Sequence, residues 1–116
     1  MPIDAALADR VRRVLAARGG ADERRMMGGV CFMVAGHMCC GVSGAALMVR
    51  VGRDGYAAAL REPHVRPLEL GGRRPLGYVK VDPPGCTGDA ALESWLARGL
   101  AAVAALPARE APPRPR

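Results

Sequence analysis

Aromatic side chains are scarce: the 116-residue chain has Phe32, Trp95, Tyr56 and Tyr78 and no others. A platform that stacks successive bases on rings is thereby excluded. Lysine is nearly absent, since Lys80 is the only lysine among 17 basic residues. No C-x-x-C pair, P-loop, dinucleotide fingerprint, H-E-x-x-H or EF-hand pattern is present. The start, MPIDAALADRVRR, places acids before arginines and has no apolar run with a small-residue cleavage site. That pattern argues against a secretory signal and for a cytoplasmic protein. In that compartment the four cysteines are expected as free thiols.

What the chain does have is apolar mass. Half of its residues are hydrophobic and the net charge is +6. The length suits one domain with a core of its own. Residues 1–107 form the expected domain and residues 108–116 an expected disordered tail rich in proline and arginine. The tail holds three arginines and Glu110, which leaves +4 of the total +6 on residues 1–107. A P-x-x-P ligand from Pro112 to Pro115 is the functional alternative for the tail. From Val30 to Val49 only His37 and Ser43 are clearly polar. Glycines interrupt that run at hairpin-like intervals, so it reads as three short strands rather than a membrane helix.

The periodicity predicts the following order. Residues 3–18 form a helix, with Ile3, Leu7, Val11 and Val14 on one face, stopped by Gly19-Gly20. Residues 21–29 form a polar loop. VCFMVA (30–35), MCCGVS (38–43) and ALMVRV (46–51) form a β-meander, its first turn at Gly36-His37. Residues 54–62 form a short helix capped by Asp54 and ended by Pro63. Residues 65–70 are extended, but Pro67 excludes them from a central strand. Residues 76–81 form a fourth strand, ended by Pro83-Pro84-Gly85. Residues 89–106 form the last helix, with Asp89 as cap and an apolar stripe of Leu92, Trp95, Leu96, Leu100, Val103 and Leu106. The predicted class is α+β: an antiparallel sheet of about four strands with N-terminal and C-terminal helices packed on it.

Candidate chemistry is thin. Pairing across a Gly36-His37 turn would put Cys39 on the face opposite Cys31 and Cys40, with Cys31 and Cys40 as diagonal neighbours. Neither a disulfide nor a zinc site follows from that arrangement. G-V-S-G-A (Gly41 to Ala45) brushes against the nucleophile-elbow pattern, but Ser43 reads as a hairpin turn residue. His37 and His64 have no orienting partner at recognisable spacing. Asp22 and Glu23 beside Arg24 and Arg25 read as a surface ion-pair cluster. Gly28 and Gly29 read as a loop with unusual backbone angles, and Gly77 as a close approach or bulge. No cofactor or metal is expected. The remaining signal is cationic: Arg10, Arg13, Arg24, Arg25, Arg73 and Arg74 are the candidate contacts to nucleic acid or a partner.

Several segments together resemble a known family. R-R-M-M-G-G-V (Arg24 to Val30) resembles the M-F-G-G signature of the TfoX N-terminal domain family, with Met27 where phenylalanine is usual. Gly36 to Met38, Leu47 to Val51, Leu76 to Val81 and Asp89 to Leu96 follow in that family's order, over about residues 3–107. The resemblance implies a small, non-enzymatic regulatory or interaction module, linked to transcriptional regulation. A protein partner and a monomer or homodimer are expected, with no membrane. An accessory nucleic-acid-binding domain using the arginines is the alternative.

Overall fold

The computed structural model describes residues 3–107. Helix α1 (Ala5–Ala16) is followed by strands β1 (Asp22–Met26), β2 (Gly29–Val34), β3 (His37–Ser43) and β4 (Ala46–Arg50). Helix α2 (Arg53–Leu60), strands β5 (Val65–Pro67) and β6 (Tyr78–Val81) and helix α3 (Asp89–Ala104) complete the order. The six strands make one antiparallel sheet in the order β1-β2-β3-β4-β6-β5. The α+β class is as predicted, with two more strands than expected. Both additions are edges. β1 comes from the stretch predicted as a polar loop, and its five residues are all exposed. β5 is three residues long and carries Pro67, which an edge tolerates because no ladder bond is required on its outer side.

The sheet is covered on both faces, which explains why the central strands read as a nearly continuous apolar run. On one face α1 and α3 pack over Val30, Phe32, Cys40, Val42, Leu47, Val49, Val79 and Val81. On the other, Cys31, Met38 and Met48 are buried beneath Leu68, with Leu70, Tyr78, Met27 and Met33 around them. The second cover comes from the chain between β5 and β6, which folds across the sheet and closes through a Leu70–Arg73 backbone bridge.

Turn chemistry sets the register. The β2–β3 turn is Ala35-Gly36, one residue earlier than predicted, with Val34 opposite His37. Both turn residues have positive φ, 52° and 81°. Two such residues give the turn a twist that matches the strands, and glycine suits its second position. Met27-Gly28 repeats this pattern between β1 and β2. Gly29 does not share the unusual angle. It is glycine because a Cβ there would strike the backbone of Val42.

A β-bulge then changes the faces. Met33 lies opposite Met38, but Phe32 lies opposite Cys40, so Cys39 is an extra residue in β3. The predicted placement of the cysteines is therefore corrected. Cys39 and Cys40 both join the helix-side core, and Cys31 alone lies on the other face. All four cysteines are free and buried.

The helix starts also differ from expectation. Gly88 and Gly52 occupy the cap positions, and Asp89 and Asp54 fall in the first turns. There a carboxylate still favours the positive end of the helix dipole. Asp4 caps α1, its Oδ1 accepting from Leu7 N at 3.1 Å. The predicted stripe on α3 is buried at Leu92, Trp95, Leu96 and Val103, while Leu100 is half-buried and Leu106 is exposed. Gly99 is buried with them. Gly77 has φ 90° and lies against Gly52, and its carbonyl accepts from Val51 N and Gly52 N. The predicted tail, residues 108–116, lies outside the described residues.

Two outcomes follow from this packing. A Cβ at Gly99 would stand 2.8 Å from Cys39 O and 3.0 Å from Cys39 Sγ. Helix propensity favours alanine over glycine by about 1 kcal/mol, but the backbone contact reverses the sign. Gly99→Ala should destabilise the domain by about 1–3 kcal/mol, the usual range for overpacking, as read by urea denaturation. A more stable variant would refute the close approach. The second outcome concerns pH. Interaction with the neighbouring Cys39 thiol and burial together push Cys40 well above the ordinary thiol range. Burial pushes Cys31 and Cys86 up as well. Cys39 moves the other way, lowered by its hydrogen bond with Cys40, but the other three stay protonated where unfolded thiols ionise, near pH ~8.5, so on balance the unfolded chain binds fewer protons and stability falls as pH rises. The urea midpoint should hold to about pH 8 and fall above about pH 9. A midpoint that rises over that interval would show the thiols ionised in the folded state.

Candidate interaction surface

The described residues contain no buried polar or charged residue and no buried side-chain nitrogen or oxygen without a partner. No group of three or more His, Cys, Asp and Glu among them is placed to hold a metal ion. Ser43 ends β3 opposite Ala46, in the hairpin turn that was expected. His37 Nε2 lies 2.8 Å from Pro107 O, which ties a hairpin end to the chain beyond α3. His64 is exposed, with φ 66°, and its carbonyl accepts from Asp82 N. Neither histidine hydrogen-bonds to a carboxylate or a thiol among the described residues. Polar chemistry is therefore a property of the surface.

The six candidate arginines are distributed over both sides and one edge of the sheet. Arg10, on α1, points inward. Its guanidinium donates to Thr87 O at 2.8 Å and Cys86 O at 3.4 Å and pairs with Asp89 at 3.0 Å. It fixes the loop that leads into α3. Arg13 is exposed beside it, where Arg10, Val14, Asp89, Leu92 and Glu93 line an open groove between the two helices. Arg73 and Arg74 lie in the segment that crosses the opposite face, and Arg74 pairs with Glu69 at 2.8 Å. Arg24 and Arg25 are neighbours in β1, so their side chains leave opposite faces of the sheet.

Other arginines act as internal fasteners. Arg50 Nε donates to Met38 O at 2.7 Å, and its guanidinium carbon lies 4.7 Å from the Tyr78 ring centroid. Arg98 pairs with Glu62 at 2.8 Å and lies 4.1 Å over the Trp95 ring, joining the end of α2 to α3. Arg66 pairs with Asp82 across β5 and β6.

At the β1 edge the expected pairing of Asp22 and Glu23 with Arg24 and Arg25 is not what forms. Glu23 takes both of its contacts from Arg12 of α1, through Nε and at 2.7 Å through Nη2, and Arg12 also reaches Asp9. The Arg12 hydrogen bond holds the Glu23 carboxyl below its usual range. A polar loop over 21–29 would not place Glu23 against α1, so the pair is invisible in the sequence. Once β1 is a strand, alternation puts Glu23 and Arg25 on the helix-covered face and Asp22 and Arg24 on the other. Ile3, Ala8 and Val30 floor an open groove of about 310 Å³ there, with Asp9, Arg12, Glu23 and Arg25 on its rim.

Exposed large apolar side chains stand on separate elements: Met26 at the end of β1, Leu76 before β6 and Leu106 after α3. No helix is long and apolar enough to cross a membrane among the described residues. Neither a comparison with curated proteins nor one with solved structures finds a match. The family model of the TfoX N-terminal domain matches residues 13–103, from the second half of α1 through all six strands to the last turn of α3, and the chain belongs to that family.

Proposed function

We propose that this chain is a non-enzymatic, cytoplasmic interaction domain that acts by binding another protein, within transcriptional regulation. Family membership supports a role related to TfoX-type regulators. The observation that carries the reading is the distribution of polar groups. The interior holds none that is unsatisfied, and the thiols, His37 and Ser43 belong to separate, structurally occupied positions, with His64 exposed apart from them. An acid, a base and a nucleophile meeting at one point, as acyl transfer through a covalent intermediate uses, do not occur together among the described residues. The surface instead offers a strand edge and shallow grooves between elements, which suit a polypeptide partner.

A second reading, an accessory nucleic-acid-binding domain, is favoured by Arg13, Arg18, Arg24, Arg25, Arg53, Arg61 and Arg73. All are exposed, and none forms an ion pair among the described residues. Their placement on both faces and one edge weighs against a single electropositive surface. No exposed helix among the described residues carries the side-chain pattern of a groove reader.

The two readings separate in one experiment. Affinity capture from native lysate should retain the same protein partners with and without nuclease. Purified protein titrated against several duplexes should bind weakly and without sequence preference. Such binding should be lost at about 150 mM salt, because it depends on counterion release. Partners that vanish with nuclease, or sequence-dependent binding that survives that salt, would promote the nucleic-acid reading.

A further inference from the structure

The two edges of the sheet are unequal. β5 is short, ends in Pro67 and has Arg66 tied to Asp82. β1 is five residues long, has no proline or bulge, and pairs only on its β2 side among the described residues. Its two-residue turn at Met27-Gly28 makes Met26 and Gly29 the hydrogen-bonded closing pair of the hairpin. By alternation Asp22, Arg24 and Met26 direct their backbone groups to β2. Glu23 and Arg25 direct theirs outward. An open edge of this kind is a template for another strand.

We propose that β1 is a homodimer interface, on which a second copy of this chain adds its own β1 antiparallel to make a continuous twelve-stranded sheet. Two-fold symmetry limits the register. Antiparallel strands related by an axis normal to the sheet keep their faces, so each residue must meet one of the same parity. The pairing can therefore centre on Glu23, Arg24 or Arg25. Every centre apposes one pair of like charges, Glu23 or Arg25 in the hydrogen-bonded position or Arg24 in the other. A centre at Arg24 places Glu23 opposite Arg25 twice, in the positions whose backbone groups face outward. It also overlaps all five residues.

The charges fit that register. Arg25 has no ion pair within the described chain, and the Glu23 carboxylate, already holding Arg12, retains lone pairs for a second arginine. Both lie on the helix-covered face, beside the groove under α1. On the other face the two Arg24 side chains meet at the axis, each with the partner's Asp22 as a diagonal neighbour. The order acid-acid-base-base in Asp22 to Arg25 thus gives the register that overlaps all five residues two opposite-charge pairs against one Arg24–Arg24 apposition. An edge guarded by charges of one sign would repel its copy.

Sedimentation of the full chain tests the proposal. The wild type should be a dimer that dissociates on dilution. Arg25→Glu alone and Glu23→Arg alone each put like charges in both reciprocal pairs, and each should weaken the dimer roughly tenfold or more. Mixed in equal amounts they should restore it, since both reciprocal 23–25 pairs are then opposite in sign. Amide exchange on the unaltered protein gives an independent check, whether or not either variant folds. The Glu23 and Arg25 amides should become protected as concentration rises. A wild type that stays monomeric at its highest soluble concentration would overturn the proposal. So would an Arg25→Glu dimer as tight as the wild type, a folded mixture that fails to recover, or protection that does not depend on concentration.

Discussion

The packing of this domain depends on one extra residue in its central hairpin. A regular β3 would alternate strictly, and Met38, Cys40 and Val42 would share a face. Inserting Cys39 breaks the alternation, so Met38 joins the lower cluster while Cys39 and Cys40 both reach the helices. Two unusual residues answer that distortion. Gly99 lets α3 lie directly on the Cys39 backbone, where any side chain would collide. Arg50 takes the Met38 carbonyl, which the disturbed ladder leaves to a side chain, and stacks on Tyr78. A bulge in a buried strand is tolerable only if its backbone groups find partners. Here Arg50, at the end of β4, supplies the partner for the Met38 carbonyl, and Gly99 lets α3 pack closely over the bulge.

The sequence discloses the elements that bury apolar surface. α1, β2, β3, β4, β6 and α3 were all legible, because burial imposes a period of two or of about 3.6 on Val, Leu, Met and Cys. The α3 stripe was read nearly in full. β1 was not legible. Asp-Glu-Arg-Arg-Met has no apolar period because neither of its faces is buried, and an edge strand is under no demand to show one. The shift of the first turn from Gly36-His37 to Ala35-Gly36 has a similar origin. Both dipeptides contain a glycine, and only the ladder decides which of its neighbours takes the second positive φ. Once that turn and the bulge had moved the register, the predicted faces of the cysteines could not hold.

The arginines show a related limit. Their number is legible in a sequence, but their job depends on what the fold brings beside them. Arg10 belongs to the loop before α3, Arg50 to the bulge, Arg66 to Asp82, Arg74 to Glu69 and Arg98 to Glu62 and Trp95. An exposed ion pair contributes little to stability by itself. Arg10 and Arg50 differ, because they satisfy backbone carbonyls of loops and bulges that no ladder reaches. Part of the basic composition is therefore structural, and the count of 17 basic residues overstates the surface free to meet a polyanion.

A sheet closed off by helices and a crossing segment still exposes its two edges, and each must be blunted or paired. β5 is blunted by brevity and Pro67. β1 is polar enough to be stable in water, yet it has neither proline nor bulge, and its charges divide evenly by sign. Charge that merely protects an edge is most effective when uniform, since every approaching copy is then repelled. Dividing the charge in the order acid-acid-base-base gives up that protection in the antiparallel orientation, and the register centred on Arg24 is the one that overlaps the whole strand. Non-complementary registers still meet like charge in a hydrogen-bonded position, so the pattern both keeps the edge soluble and restricts how a copy can join it.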